Sequence, residues 1–109
     1  IIIKMENKLK NYNKKTLISE KLQPILWSKN INNLDLEIDK IYIVHQVLAY
    51  GSMDDIKIIQ KIYSEKEIKN IFINFPKKIY TKPVFLFIKN FLLNINDELN
   101  EKDYIKNFT

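Results

Sequence analysis

The chain has 109 residues, enough for one domain with a modest core, and 46% of them are apolar. All 18 basic residues are lysine, so the net charge of +5 can attract phosphate only as point charges, without the planar fork used in bidentate phosphate and base recognition. There is no cysteine, which excludes disulfides and cysteine-ligated metals, and one glycine cannot build a glycine-rich phosphate loop.

Residues 1–15, with "KMENKLKNYNKK", are polar and lysine-rich and are expected to form an exposed, flexible basic arm. No apolar run approaches ~18 residues, so neither a secretion signal nor a membrane span is expected, and the chain is expected to be cytoplasmic, with Met5 a candidate start. Residues 16–109 read as a single helical domain. Thr16 is placed to cap a short first helix that Pro24 ends or kinks, and Trp27 follows beside Ile25 and Leu26.

From Leu34 the apolar spacing of Ile38, Ile41, Val44 and Leu48 predicts a helix, with Asp35, Glu37 and Asp39 at its positive end. Gly51 follows Tyr50 and is expected to take the left-handed conformation that closes this helix. Ser52 then caps the next helix, through Ile56, Ile59 and Tyr63. Ser64 begins another, with Glu67 as the answering half of a capping box and Ile68, Ile71, Phe72 and Phe75 as its stripe.

"PKKIYTKP" is a basic connector, after which Phe85, Ile88, Leu92 and Ile95 predict a buried helix capped by Thr81. The acidic stretch from Asn96 fits a short final helix or a frayed tail equally well. The expected class is all-α: a compact bundle of about five short helices.

Chemistry is harder to find. His45 is the only histidine and lacks a second histidine or a cysteine to share a metal, so it reads as structural. Asp54 and Asp55 are adjacent and point apart on a helix, which suits capping better than paired acid–base work. No catalytic residue and no cofactor are assigned. Two sets of residues suit binding instead. Lys77, Lys78 and Lys82 around Tyr80 form the densest basic and aromatic cluster, and Trp27 is a natural anchor for a protein partner. Lys66, Lys69 and Asn70, beyond the glycine corner, would serve a helix-turn-helix-like nucleic-acid-binding regulator, although Glu65 and Glu67 oppose phosphate there.

The positions Pro24, Trp27, Leu34, Asp35, Ile41, Val44, Leu48, Tyr50, Gly51, Ile56, Tyr63 and Ile68 carry a resemblance. Over roughly residues 22–95 the chain resembles a family of short uncharacterised bacterial and archaeal proteins, often encoded beside nucleotidyltransferase toxins of the abortive-infection type. The resemblance implies a non-catalytic, antitoxin-like partner of such a toxin in a toxin–antitoxin or phage-defence pair. It implies Trp27 as anchor and Lys77, Lys78, Tyr80 and Lys82 as a charged rim. Apart from the resemblance, the apolar "VFLFIKNFLL" helix offers a surface for a purely structural homo-oligomer. Ser28 stands where the family usually has an acid, and the family's arginines are lysine or absent here.

Overall fold

Serine, proline and glycine set where the helices start and stop, and the first clear start is Ser52. Its hydroxyl accepts from the Asp55 N–H while the Asp55 carboxylate accepts from the Ser52 N–H, a reciprocal capping box. The computed structural model describes residues 21–22, 24–26 and 34–106. Among these residues it contains four α-helices: α1 (Lys40–Tyr50), α2 (Met53–Ile62), α3 (Glu65–Asn74) and α4 (Lys82–Phe87). The all-α class holds, with four helices where about five were expected. The basic arm at 1–15, Trp27 and most of the helix expected before Pro24 lie outside the described residues.

α1 begins later than the apolar spacing suggested. The Asp35 carboxylate accepts from the N–H groups of Glu37 and Ile38, and the Asp39 carboxylate from that of Asp35, so these acids form a turn ahead of the helix. Ile38 sits in that turn and is 81% exposed, which removes it from the expected stripe. Further along, Ile43 to Leu48 are all buried, so α1 is covered on every side where it crosses the core. Gln46 donates to the Ile25 carbonyl and ties the 24–26 segment against it.

Gly51 corrects the sequence reading. Its φ of −80° and ψ of 163° are extended, not left-handed. What excludes a side chain is space: a Cβ would lie 2.6 Å from the Val47 carbonyl oxygen and 3.0 Å from the Asp55 Cβ. The corner between α1 and α2 is so short that one residue caps one helix and leads into the next. The left-handed turn occurs instead at Asn94, with φ of 49°.

Ser64 caps α3 by accepting from the Glu67 N–H. The Glu67 carboxylate does not return the contact but meets Lys40, which also pairs with Glu37. Phe75, expected in the buried stripe, ends α3 and is 48% exposed. Thr81 stands at the start of α4 with Pro83 in its first turn, but the Thr81 side chain makes no capping hydrogen bond. α4 then runs into a π-helical turn at Ile88–Leu92, closed by the Leu93 N–H on the Ile88 carbonyl at 2.9 Å. The extra residue rotates the chain, so Leu93 rather than Leu92 is buried beside Phe85, Ile88 and Ile95.

The described part of the acidic tail, to residue 106, is docked. A 3-10 turn at Glu101–Asp103 leads to Tyr104 and Ile105, both buried. Phe72 of α3 is the centre on which everything converges, with Tyr80, Phe85 and Tyr104 rings 4.9–6.0 Å from its own. Such aromatic contacts add ~0.5–1.5 kcal/mol each beyond the area they bury.

Candidate functional site

The basic connector between α3 and α4 is held from below. Tyr80 is fully buried, and its backbone pairs with the tail: its N–H donates to the Tyr104 carbonyl, and its carbonyl accepts from the Lys106 N–H. This parallel bridge with Ile105 brings Lys106, 24 positions further along, to the connector that carries Lys77, Lys78 and Lys82. Lys78 and Lys82 are exposed and Lys77 is half-buried.

Two of these lysines rest on α1. The Lys77 ammonium lies 5.6 Å from the centre of the Tyr42 ring, and the Lys106 ammonium 5.4 Å from that of Tyr50. Tyr42 and Tyr50 are eight residues apart, about 12 Å along a helix. The paired connector and tail thus carry four lysines, of which Lys77 and Lys106 lie over tyrosine rings of α1 and Lys78 and Lys82 are exposed.

Tyr80 is therefore not part of the charged rim that the sequence suggested. Its hydroxyl lies 2.7 Å from His45 Nδ1, and His45 Nε2 lies 2.6 Å from the Phe75 carbonyl oxygen. A carbonyl only accepts, so Nε2 carries the proton and Nδ1 accepts from the phenol. Burial pushes the Tyr80 phenol well above its ordinary pKa, which keeps it a donor. Burial also lowers the His45 pKa from 6.5 to about 4; the Phe75 carbonyl opposes this and the Lys77 charge adds to it. Both imidazole nitrogens are thus spent inside the core, as a structural histidine requires.

The other sequence-derived set lies on α3. Lys66 and Asn70 are exposed and Lys69 is half-buried. Asn70 accepts from the Asn74 side chain at 2.6 Å, and Glu65 shares the exposed side with Lys66. This helix therefore presents both signs of charge. Among the described residues no three His, Asp or Glu side chains are gathered for a metal, and no helix is long and apolar enough to cross a membrane.

Phe87 and Phe91, which lie outside the stripe of Phe85, Ile88, Leu92 and Ile95, are 39% and 74% exposed and stack on each other with centroids 6.3 Å apart. The only available signal was their spacing of four, which places them together on whichever face they occupy.

Residues 22–72 match a family of unknown function (DUF6922). The match spans Leu22 through α1 and α2 to Phe72 of α3, and so includes Tyr42, His45 and Tyr50 but not the basic connector, α4 or the tail. No match is found among curated proteins or among solved structures.

Proposed function

We propose that this chain is a non-catalytic protein-binding module, the antitoxin-like partner that neutralises a nucleotidyltransferase toxin, acting in the cytoplasm. The observation that supports it is the basic surface: four lysines from two distant segments joined by the Tyr80 bridge, with Lys77 and Lys106 set over tyrosine rings of α1. Nucleotidyl transfer uses divalent cations held by carboxylates. A surface of lysine point charges beside tyrosine rings suits the acidic mouth of such a site. By covering it, the module would keep nucleotide or RNA out, or block the motion the site needs.

The test is capture of the tagged full chain from its native cells after nuclease treatment, with the retained proteins identified by mass spectrometry. A stoichiometric nucleotidyltransferase is expected. Lys77, Lys78, Lys82 and Lys106 reversed to Glu should weaken that complex by about 30-fold, taking ~0.5 kcal/mol per exposed charge. Unchanged affinity would remove the basic surface from the interface. Proteins retained only through nuclease-sensitive material would favour the nucleic-acid-binding reading, in which Lys66, Lys69 and Asn70 are the residues to test next.

A further inference from the structure

We infer that His45 is the positioning residue of the basic surface: by hydrogen-bonding to both ends of the connector, it holds Lys77 over Tyr42 and so sets how the module meets its partner. The inference rests on the protein-binding reading above and adds a residue that acts on the surface from inside the core.

The connector from Phe75 to Tyr80 has no helix of its own to fix its shape. Its first end is weakly held by side chains, since the Phe75 ring is 48% exposed and Pro76 has no N–H to donate. The Phe75 carbonyl instead accepts from His45 Nε2 at 2.6 Å. The other end meets the same imidazole, with the Tyr80 hydroxyl 2.7 Å from Nδ1. Among the described residues, His45 is the one side chain hydrogen-bonded to both ends, and Lys77 lies between them.

The two bonds are linked through the tautomer. The Tyr80 phenol donates to Nδ1, which leaves the proton on Nε2, the nitrogen that meets Phe75. The Tyr80 ring packs against Phe72 with centroids 5.6 Å apart, and its backbone is bonded to the tail. Tyr80 is therefore the anchor, and His45 carries its position back across the connector to Phe75. His45 also lies three residues beyond Tyr42 on α1, a spacing at which helix side chains are neighbours. The helix whose Tyr42 ring receives the Lys77 ammonium at 5.6 Å thus also holds the backbone two residues before that lysine. A lysine held in this way gives up less freedom on meeting an acidic group of the partner than one on an untethered loop.

The experiment reads the Lys77 side chain by NMR in the full chain, without a partner. The ring current of Tyr42 shifts protons above its face upfield, so the Lys77 ε-protons report the contact. His45→Leu removes both bonds, whereas Tyr80→Phe keeps the buried ring and removes only the bond to Nδ1. His45→Gln offers an amide donor and an acceptor in their place. Tyr63→Phe is the control for lost stability, because it deletes a comparable hydroxyl bond, 2.7 Å to the Leu36 carbonyl, between residues outside the connector. The upfield shift is expected in the wild type, His45→Gln and Tyr63→Phe, reduced in Tyr80→Phe and lost in His45→Leu. In the capture experiment Tyr80→Phe should weaken retention of the partner by about threefold, the worth of one oriented surface charge, and Tyr63→Phe should not. A shift kept in full in Tyr80→Phe, or lost equally in Tyr63→Phe, would overturn the positioning role and leave the binding reading intact. Tyr80→Phe decides this even where His45→Leu does not fold. Loss in His45→Gln as complete as in His45→Leu would overturn it as well. A wild type that retains no protein would overturn the binding reading, and the Lys77 shift would still decide whether His45 places the lysine.

Discussion

Lowering the pH from 7.5 to 5 acts directly on the interior of this fold through His45. In the folded chain its pKa is lowered from 6.5 to about 4, because the ring is buried between the Tyr80 hydroxyl and the Phe75 carbonyl. An unfolded chain takes up the proton near ~6.5. The folded state therefore favours the neutral ring, and the stability this provides is complete above ~6.5 and lost as the pH falls toward about 4. At ~1.4 kcal/mol per pH unit, the whole gap is worth ~3 kcal/mol, of which about 2 kcal/mol is gone by pH 5. For a small domain that amounts to a drop of about 1 M in the urea midpoint. The control for every other pH-dependent change is His45→Gln. The glutamine amide keeps a donor for Phe75 and an acceptor for Tyr80 but does not titrate. The wild type should lose about 2 kcal/mol more than His45→Gln between pH 7.5 and 5, read from urea unfolding by circular dichroism. Parallel losses in the two proteins would refute the neutral, doubly bonded imidazole.

Gly51→Ala should destabilise by ~1–3 kcal/mol in thermal or urea unfolding, because the new Cβ meets the Val47 carbonyl oxygen at 2.6 Å while the backbone angles suit alanine well. A stabilising result, as expected of alanine at an unhindered site, would mean the corner relaxes freely. Tyr104→Phe removes the hydroxyl that donates to the Phe72 carbonyl at 2.6 Å, and should cost ~1 kcal/mol. It should also speed hydrogen exchange at the Lys106 amide, whereas unchanged exchange there would show that the tail docks without this bond.

Local features were legible in the sequence where the physics is local. Ser52, Ser64 and Thr81 stand at helix starts because a side-chain oxygen or an extended residue there precedes an apolar run. Gly51 was legible as a corner, but the choice between a left-handed dihedral and a close approach depends on how near α1 and α2 come, which no neighbour in sequence reports. Lys77, Lys78 and Lys82 were legible as a cluster, and Lys106 was not, because its place is set by a backbone pairing with Tyr80 across the chain. Tyr80 itself, flanked by lysines at 78 and 82, carries the surface signature of its neighbours. Its burial depends on Phe72, Tyr104 and His45, which come from three other segments.

That burial is also what makes the basic surface possible. A lysine-rich connector left to itself would spread its charges apart, since like charges repel and the backbone would gain freedom. Here the Tyr80 ring is held by Phe72 and its hydroxyl by His45, while its N–H and carbonyl are spent on the tail. These contacts tie the connector to the tail, and Lys77 and Lys106 lie over Tyr42 and Tyr50 of α1. The segment matched to the family supplies the two tyrosines, the histidine and Phe72, while the segment beyond it supplies every lysine of the surface. Under the proposed function, the family-matched part of the chain is a frame, and the charges offered to a partner are carried on the part that follows. On this reading, partner choice can change through residues 77–106 without disturbing the family-matched core, provided that Tyr80 and Tyr104 stay in place.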